Sequence, residues 1–497
     1  MNLSLLMLLT LVGYFCVLLW MSRRTRGHSD NDAFFRAGRQ SPWWMVGFGM
    51  IGASISGVSF ISVPGWAATT GMTYLQMCAG FFFGYLVVAF VLLPVYYRLR
   101  LTSIYAYLGQ RFGGEARRTG ALFFLLSKLT GAAARLYLVC VVLCGFLLPG
   151  LDSGPGGTAL FMGVCTLVLV LIWLYTRRSG LFAIVRTDAL QTFCLLLALA
   201  MMLVAAGQSL HMGPAEMVDA VAQSDMARVI EDDWHSRQYF WRQFLSGVFV
   251  VIVMTGLDQD MMQKNLTCRS LREAQKNMCT YGACFLPVNL LLLALGILLY
   301  ALCAREGIDG LRGDALLPTL VSQGTLGAWV VVPFTVGIVA AAFSSADSAL
   351  ASLTTICCID LLRLEERGIG AERATRVRRR VHLAICAAFL LSIFAYRLVA
   401  DTNVINAIYV MASYTYGPLL GLYAFGLACR RRVNGRLVWP VCLAAPLVCA
   451  WADWAAPRYW GYTFGYELLM VNGLLTIIGL LLISRRAISP ARQQVIQ

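Results

Sequence analysis

With 497 residues, 59% of them hydrophobic and 13% charged, and a mean hydropathy of +0.71, the chain lies far outside the composition of soluble globular proteins. Its formal charge of +15 raises nucleic acid as a partner, but the basic residues follow a membrane topology, which removes that reading. Sixteen cysteines are scattered without paired CxxC motifs, and the four histidines (His28, His211, His235, His382) stand in loops or at a helix end. Neither a disulfide framework nor a zinc site is expected.

Thirteen apolar runs, each of roughly the 20 residues needed to span a bilayer, predict an all-α membrane protein with about 13 transmembrane helices. They fall at 3–21, 43–68, 75–97, 119–148, 158–175, 180–206, 240–262, 277–303, 324–360, 381–399, 403–428, 437–454 and 466–484. With the amino terminus placed outside, alternate loops collect 31 of the 40 Lys and Arg residues. That excess marks the cytoplasmic side and puts the carboxyl terminus there too. A multi-pass protein of the plasma or inner membrane is expected, its basic loops touching anionic lipid headgroups. No basic residue precedes the first run, and Arg23, Arg24 and Arg26 follow it, which marks a retained helix rather than a cleaved signal. A monomer is the expectation.

The second run, WWMVGFGMIGASISGVSFISVPGWAATTG, packs Gly47, Gly49, Gly52 and Gly57 among Ser54, Ser56, Ser59 and Ser62. Such density loosens a helix, and unwound backbone at membrane depth is tolerated only where it lines a cavity. Next, LTSIYAYLGQRFGG (101–114) reads as an amphipathic interfacial piece. The fourth run carries Lys128 and Arg135, seven residues apart on one helix face. Lys128 is expected to pair with Asp188 or Asp347. Arg135 lies about 10 Å further along by helical rise, with no carboxylate at its level. A substrate carboxylate suits its planar donors, and capping of carbonyls exposed by the second run is the alternative.

Asp188 sits inside the sixth run, after GLFAIVRT. In SGVFVVIVMTGLDQDMMQK, Thr255-Gly256 interrupts the seventh run, and 258–277 is expected as a short charged helix inside the cell, a solvated connector or a gate. Two interrupted helices five spans apart point to an inverted-repeat transporter. The expected divisions are 1–42 (amino-terminal helix and cytoplasmic linker), 43–206 (first repeat), 207–239 (extracellular loop), 240–428 (second repeat) and 429–497 (two helices and a cytoplasmic tail).

The ninth run carries AAAFSSADSALASLTT. On a helix, Ser344, Asp347 and Ser348 stand at i, i+3 and i+4 and share one face. A carboxylate at the bilayer centre costs about 2.5–3.5 kcal/mol on insertion scales and persists where it has a partner. Two hydroxyls and a carboxylate are hard ligands that suit an unhydrated alkali cation. A helix-packing seam is the alternative for the serines.

Together TSIYAYLGQRFGG, GLFAIVRTDALQ, LDQDMMQKNLTCRSLREAQ and AAFSSADSALASLTT resemble the sodium/solute symporter family, the group of sodium-coupled sugar, proline, iodide, monocarboxylate and sialic-acid transporters. The resemblance implies a leucine-transporter-type core with broken first and sixth core helices, and sodium-driven alternating access. It implies a sodium site from the carbonyls of Gly52, Ile55 and Ala341 and the hydroxyls of Ser344 and Ser345. A second cation site would use Asp188, Ser344, Asp347 and Ser348. There the chain departs from the sialic-acid branch, which has serine in place of Asp347. The extra carboxylate could tighten the site, bind a proton, or balance Lys128. Through SISGVSFISVP and GAAARLYLV the resemblance is nearest to that branch, and implies that Ser56, Ser59 and Arg135 face the substrate. A sodium-coupled symporter for a carboxylate-bearing solute, sialic acid or another organic acid, is therefore expected. A sugar or polyol symporter of the same fold is the alternative, and a transporter-like sensor or channel is the reading from another class. No soluble domain after residue 484 supports a sensor, and no nucleophile with a nearby base supports an enzyme.

Overall fold

A computed structural model of the chain describes residues 3–24, 31–147, 155–368, 370–399 and 404–485. Arg26, His28 and the expected cytoplasmic tail beyond 485 lie outside the described residues. The main helices are α1 (Leu3–Arg24), α2 (Trp43–Ser54), α3 (Gly57–Thr70), α4 (Tyr74–Arg98), α5 (Gly114–Leu147), α6 (Pro155–Ser179), α7 (Leu181–Leu210) and α8 (Phe240–Gly256). They continue as α9 (Gln259–Asn265), α10 (Leu271–Glu306), α11 (Val331–Ile356), α12 (Ala371–Val399), α13 (Val404–Thr415), α14 (Gly417–Ala428), α15 (Gly435–Tyr459) and α16 (Leu468–Ile483). Among the described residues, nine helices are long and apolar enough to cross a membrane, and α2–α3 and α8–α9 are bent pairs.

The α11 helix is the axis of the bundle. All but two of its residues are buried, and it packs against α1, α3, α5, α7 and α12. Its small residues, Ala340 to Ala342 and Ser344 to Ser345, let neighbouring backbones approach. By contrast α1, α6, α12 and α15 bury little of their apolar surface. Leu8, Leu167, Leu391 and Leu447 are exposed on them, the pattern of helices whose outer faces meet lipid. Close approach is enforced elsewhere by glycine. A Cβ on Gly247 would lie 2.2 Å from the Met77 carbonyl, and one on Gly80 2.0 Å from that of Phe244, so α4 and α8 meet backbone to backbone.

Both interrupted runs bend. Between α2 and α3 the axis turns by 57° at Ile55 (φ −81°, ψ 78°) and Ser56 (φ −67°, ψ 167°). The last turn of α2 therefore presents carbonyls with no helical donor. Between α8 and α9 the turn is 69°, and tertiary contacts satisfy the freed backbone. Tyr96 donates to the Gly256 carbonyl (2.9 Å), Tyr105 donates to that of Leu257 (2.7 Å), and Asp258 caps α9 by accepting from the amides of Asp260 and Met261. Buried unpaired carbonyls would otherwise oppose the bend.

Two expectations need correction. The 258–277 stretch is not one charged helix in solvent. Its first part, α9, is buried along its whole length, and Leu271 onward belongs to α10. Gln263 reaches the Phe35 carbonyl and Thr355, and Gln259 bonds both Ile104 N and the Thr102 carbonyl. Those last contacts also correct the 101–114 piece, whose Leu101, Ile104, Tyr105 and Leu108 are buried rather than laid along an interface. Packing satisfies the polar side chains of both segments, which sequence periodicity alone assigns to water.

Candidate functional site

Ser344 and Ser345 lie mid-way along α11, facing α7 and the broken end of α2. Ser344 donates to Asp188 Oδ1 (2.7 Å) and Ser345 to the Ala53 carbonyl (3.3 Å). The Gly52 amide donates to Thr192 Oγ1 (3.1 Å), and a Cβ on Gly52 would collide with that hydroxyl at 2.2 Å. Glycine is thus required for α2 to press its open end onto α7. Thr192, one turn beyond Asp188, was not singled out from the sequence, although its i+4 spacing places it on the same face. Ile55 stands at the break itself, and Ala341 is buried one turn before Ser345. The Ser345 hydroxyl and the Ala53 carbonyl thus meet between α11 and α2, with Asp188 on the neighbouring Ser344.

Asp347 is fully buried. Tyr175 on α6 donates to its Oδ2 (2.8 Å), while Oδ1 has no hydrogen-bond partner among the described residues. Ser348 donates to the Ser344 carbonyl (2.6 Å), which leaves its oxygen lone pairs free to accept. Neither expected partner of Lys128 is correct. Its ammonium stands 3.1 Å from Asp258 Oδ2 and 2.7 Å from Asp260 Oδ2, because the α8–α9 bend carries both carboxylates inward. Asp188 pairs instead with Lys264 (2.8 Å). Asp258, Asp260, Lys264 and Tyr175 were missed as site neighbours. The available signal was the density of charge in DQDMMQK, directly after a helix break.

Four buried carboxylates (Asp188, Asp258, Asp260, Asp347) thus accompany two buried ammonium groups (Lys128, Lys264). When ionised, these six groups carry an excess of two negative charges. An uncompensated buried charge is costly, and a monovalent cation among these oxygens relieves it without transition-metal chemistry.

On the other side of the α2–α3 break lies a cavity lined by Ser54, Ser56, Ser59, Lys128, Arg135, Thr255, Asp258 and a set of tyrosines that includes Tyr85, Tyr281, Tyr409 and Tyr416. The three residues expected to face the substrate, Ser56, Ser59 and Arg135, therefore line one space. Arg135 is half-buried and has neither an ion pair nor a hydrogen bond among the described residues, so it does not cap carbonyls of the broken helix. Ser54 shares a short hydrogen bond with Tyr281, and Tyr85 donates to Tyr281 (2.8 Å). Tyr409 belongs to this cavity, Tyr74 to a separate one with Trp66 and Tyr466. Their hydroxyls are 3.3 Å apart.

A broken pair beside an oxygen-rich central helix is the arrangement implied by the sequence motifs, and the sequence pattern of the Sodium:solute symporter family matches residues 34–436. The chain belongs to that family. It is 24% identical over 91% of its length to the sodium/sialic acid symporter NanT of Aliivibrio fischeri, 88% of which is covered. To the sodium/sialic acid symporter SiaT of Proteus mirabilis it is 23% identical, covering 97% of this chain and 95% of the other. The human sodium/iodide cotransporter is 24% identical over 85% of this chain, which spans 64% of that longer protein. A solved sodium-coupled sialic acid symporter, described as substrate-bound and outward-open with a novel sodium site, superposes with a TM-score of 0.80 at 20% identity. That comparison covers 97% of this chain and 99% of the other. The symporter is thus a multi-pass membrane carrier that couples a small solute to sodium, and it is not an enzyme.

Proposed function

We propose that this symporter imports a carboxylate-bearing solute, sialic acid or another organic acid, with sodium by alternating access. The observation that carries the solute class is Arg135, a half-buried guanidinium with no ion pair or hydrogen bond among the described residues that shares a cavity with Ser56 and Ser59. It keeps its proton when buried, so an anion is the partner that offsets its desolvation. Sodium would be held by the carbonyls of Gly52, Ile55 and Ala341 with Ser344 and Ser345. A second cation would be held by Asp188, Ser344, Asp347 and Ser348. Asp347 Oδ1, which has no hydrogen-bond partner among the described residues, and the excess of buried negative charge support that second site. Each sodium entering down 100 mV contributes about 2.3 kcal/mol, enough to offset one anionic charge moving against the same potential.

In this reading about 13 helices span the plasma or inner membrane as a monomer, the repeats being 43–206 and 240–428. The amino terminus is outside, and anionic lipids contact the basic cytoplasmic loops. The test is a competition uptake screen in proteoliposomes with and without a sodium gradient, including N-acetylneuraminate, smaller monocarboxylates and neutral sugars. Sodium-driven uptake of an acid, with its amide or ester rejected, is expected. Uptake of a neutral sugar in place of any acid would overturn the solute class.

A further inference from the structure

The buried lysines and carboxylates do not form isolated pairs. Asp188 Oδ2 is 2.8 Å from Lys264 Nζ, and Lys264 Nζ is 3.9 Å from Asp260 Oδ1. The other oxygen of Asp260 is 2.7 Å from Lys128 Nζ, which also reaches Asp258 Oδ2 (3.1 Å). Tyr416 closes the series by donating to that same Asp258 oxygen (2.6 Å). At one end, Asp188 accepts from Ser344 at the candidate cation site. At the other end, Lys128, Asp258 and Tyr416 line the solute cavity. The alternating chain runs through α7, α9 and α5, and it is continuous.

We propose that this ion-pair chain couples the two sites, with Lys264 acting as a tethered cation that holds Asp188 until sodium displaces it. The proposal rests on the sodium reading above. In the structure Lys264 lies closer to Asp188 than to Asp260, so the nearer carboxylate holds its ammonium and the farther one is its alternative partner. A sodium ion beside Asp188 repels this ammonium and weakens its attraction to that carboxylate. The flexible four-carbon stem lets it close the gap to Asp260. Asp260 then shares its charge with Lys264 and holds Lys128 less tightly. Lys128 lines the cavity, so its released ammonium becomes a second cationic contact for a solute anion beside Arg135. By linkage the reverse holds. An anion that draws Lys128 away from Asp260 draws Lys264 after it and vacates Asp188 for sodium. No new helix movement is required for this step.

The test uses the purified full chain in lipid nanodiscs. Sodium affinity is read as the rise in Tm with sodium chloride against choline chloride at constant ionic strength, for wild type, Lys264→Gln, Asp260→Asn and the double variant. Lys264→Gln removes the competitor and should tighten sodium about tenfold, whereas Asp260→Asn removes the lysine's alternative partner and should weaken it about tenfold. If Asp260 acts through Lys264, Asp260→Asn changes sodium affinity less than about twofold in the Lys264→Gln background. Additive effects would mean only that each charge contributes to a common field, and they overturn the coupling.

A second measurement needs no variant. The chain has only three lysines, Lys128, Lys264 and Lys276, so reductive methylation followed by peptide mass spectrometry reports Lys128 separately. Sodium should raise its reactivity several-fold over choline in the wild type, and an unchanged Lys128 overturns the proposal. A wild type whose Tm responds no differently to sodium and choline would overturn the sodium site itself. A sodium-responsive wild type with additive variants overturns the relay alone.

Discussion

At the scale of single residues, the two candidate sites are separated by the break in one helix and differ in chemistry. Ser344 and Ser345 supply hydroxyls to a region that also holds backbone oxygens, Thr192 and Asp188. Replacing both with alanine removes two ligands and preserves helix propensity. The sodium concentration for half-maximal uptake should then rise at least several-fold with membrane expression retained, measured by uptake across a sodium series. Arg135 is the corresponding residue on the solute side. Arg135→Lys retains the charge and loses the planar two-point contact. Loss of a charge-assisted contact worth about 1.5–3 kcal/mol should weaken acid uptake roughly 10- to 150-fold. Sodium binding without solute should be largely kept, and intact uptake would return Arg135 to a packing role. Asp347 is not the structural partner of Lys128, and its carboxylate accepts from Tyr175 instead.

At the scale of elements, the bend between α8 and α9 positions Asp258, Asp260 and Lys264, the buried charges beside the candidate sites that the sequence reading missed. It persists because Tyr96 and Tyr105 satisfy the carbonyls of Gly256 and Leu257 from outside the helix. Each is buried, and a buried acceptor left unpaired costs about 1–3 kcal/mol. Tyr96→Phe and Tyr105→Phe should therefore each lower the Tm of the purified protein. They should also weaken sodium-driven uptake, because Asp260 and Lys264 lose their fixed positions. The control is Tyr459→Phe, an exposed phenol, which should leave both readings unchanged. Equal behaviour of all three would show that the bend does not depend on these caps.

At the scale of the whole molecule, alternating access requires that the central cavity open to one face at a time. Tyr74 and Tyr409 are in contact between the two cavities, with Trp66 and Phe81 packed edge-on to Tyr74 and Tyr466 tilted against Tyr409. The opposite face carries the Arg117–Asp360 and Arg36–Glu365 ion pairs. In the proposed topology the first of these faces is outside and the second inside. Asp232 and Glu365 are both exposed, one on each face. In intact cells a membrane-impermeant maleimide should label Asp232→Cys above the wild-type background. Glu365→Cys should be labelled only after permeabilisation. The opposite result would invert the topology.

Sequence alone determined the helical membrane class, the two breaks and the oxygen-rich face of α11. These are properties of local composition. Apolar length measures against bilayer thickness, and Gly-Ser or Thr-Gly density weakens a helix wherever it occurs. Serine and aspartate at i, i+3 and i+4 share a face whatever they pack against. The partners of the buried charges were decided only by tertiary structure. Lys128, on α5, had four carboxylates within plausible depth. The 69° bend selected Asp258 and Asp260 by turning α9 inward, and left Asp188 to Lys264. Depth along a helix is readable from residue number, but the direction in which a bend carries the following turn is set by contacts such as Gln259 to Ile104 and Gln263 to Thr355. Those contacts join residues far apart in the chain, and no local pattern records them.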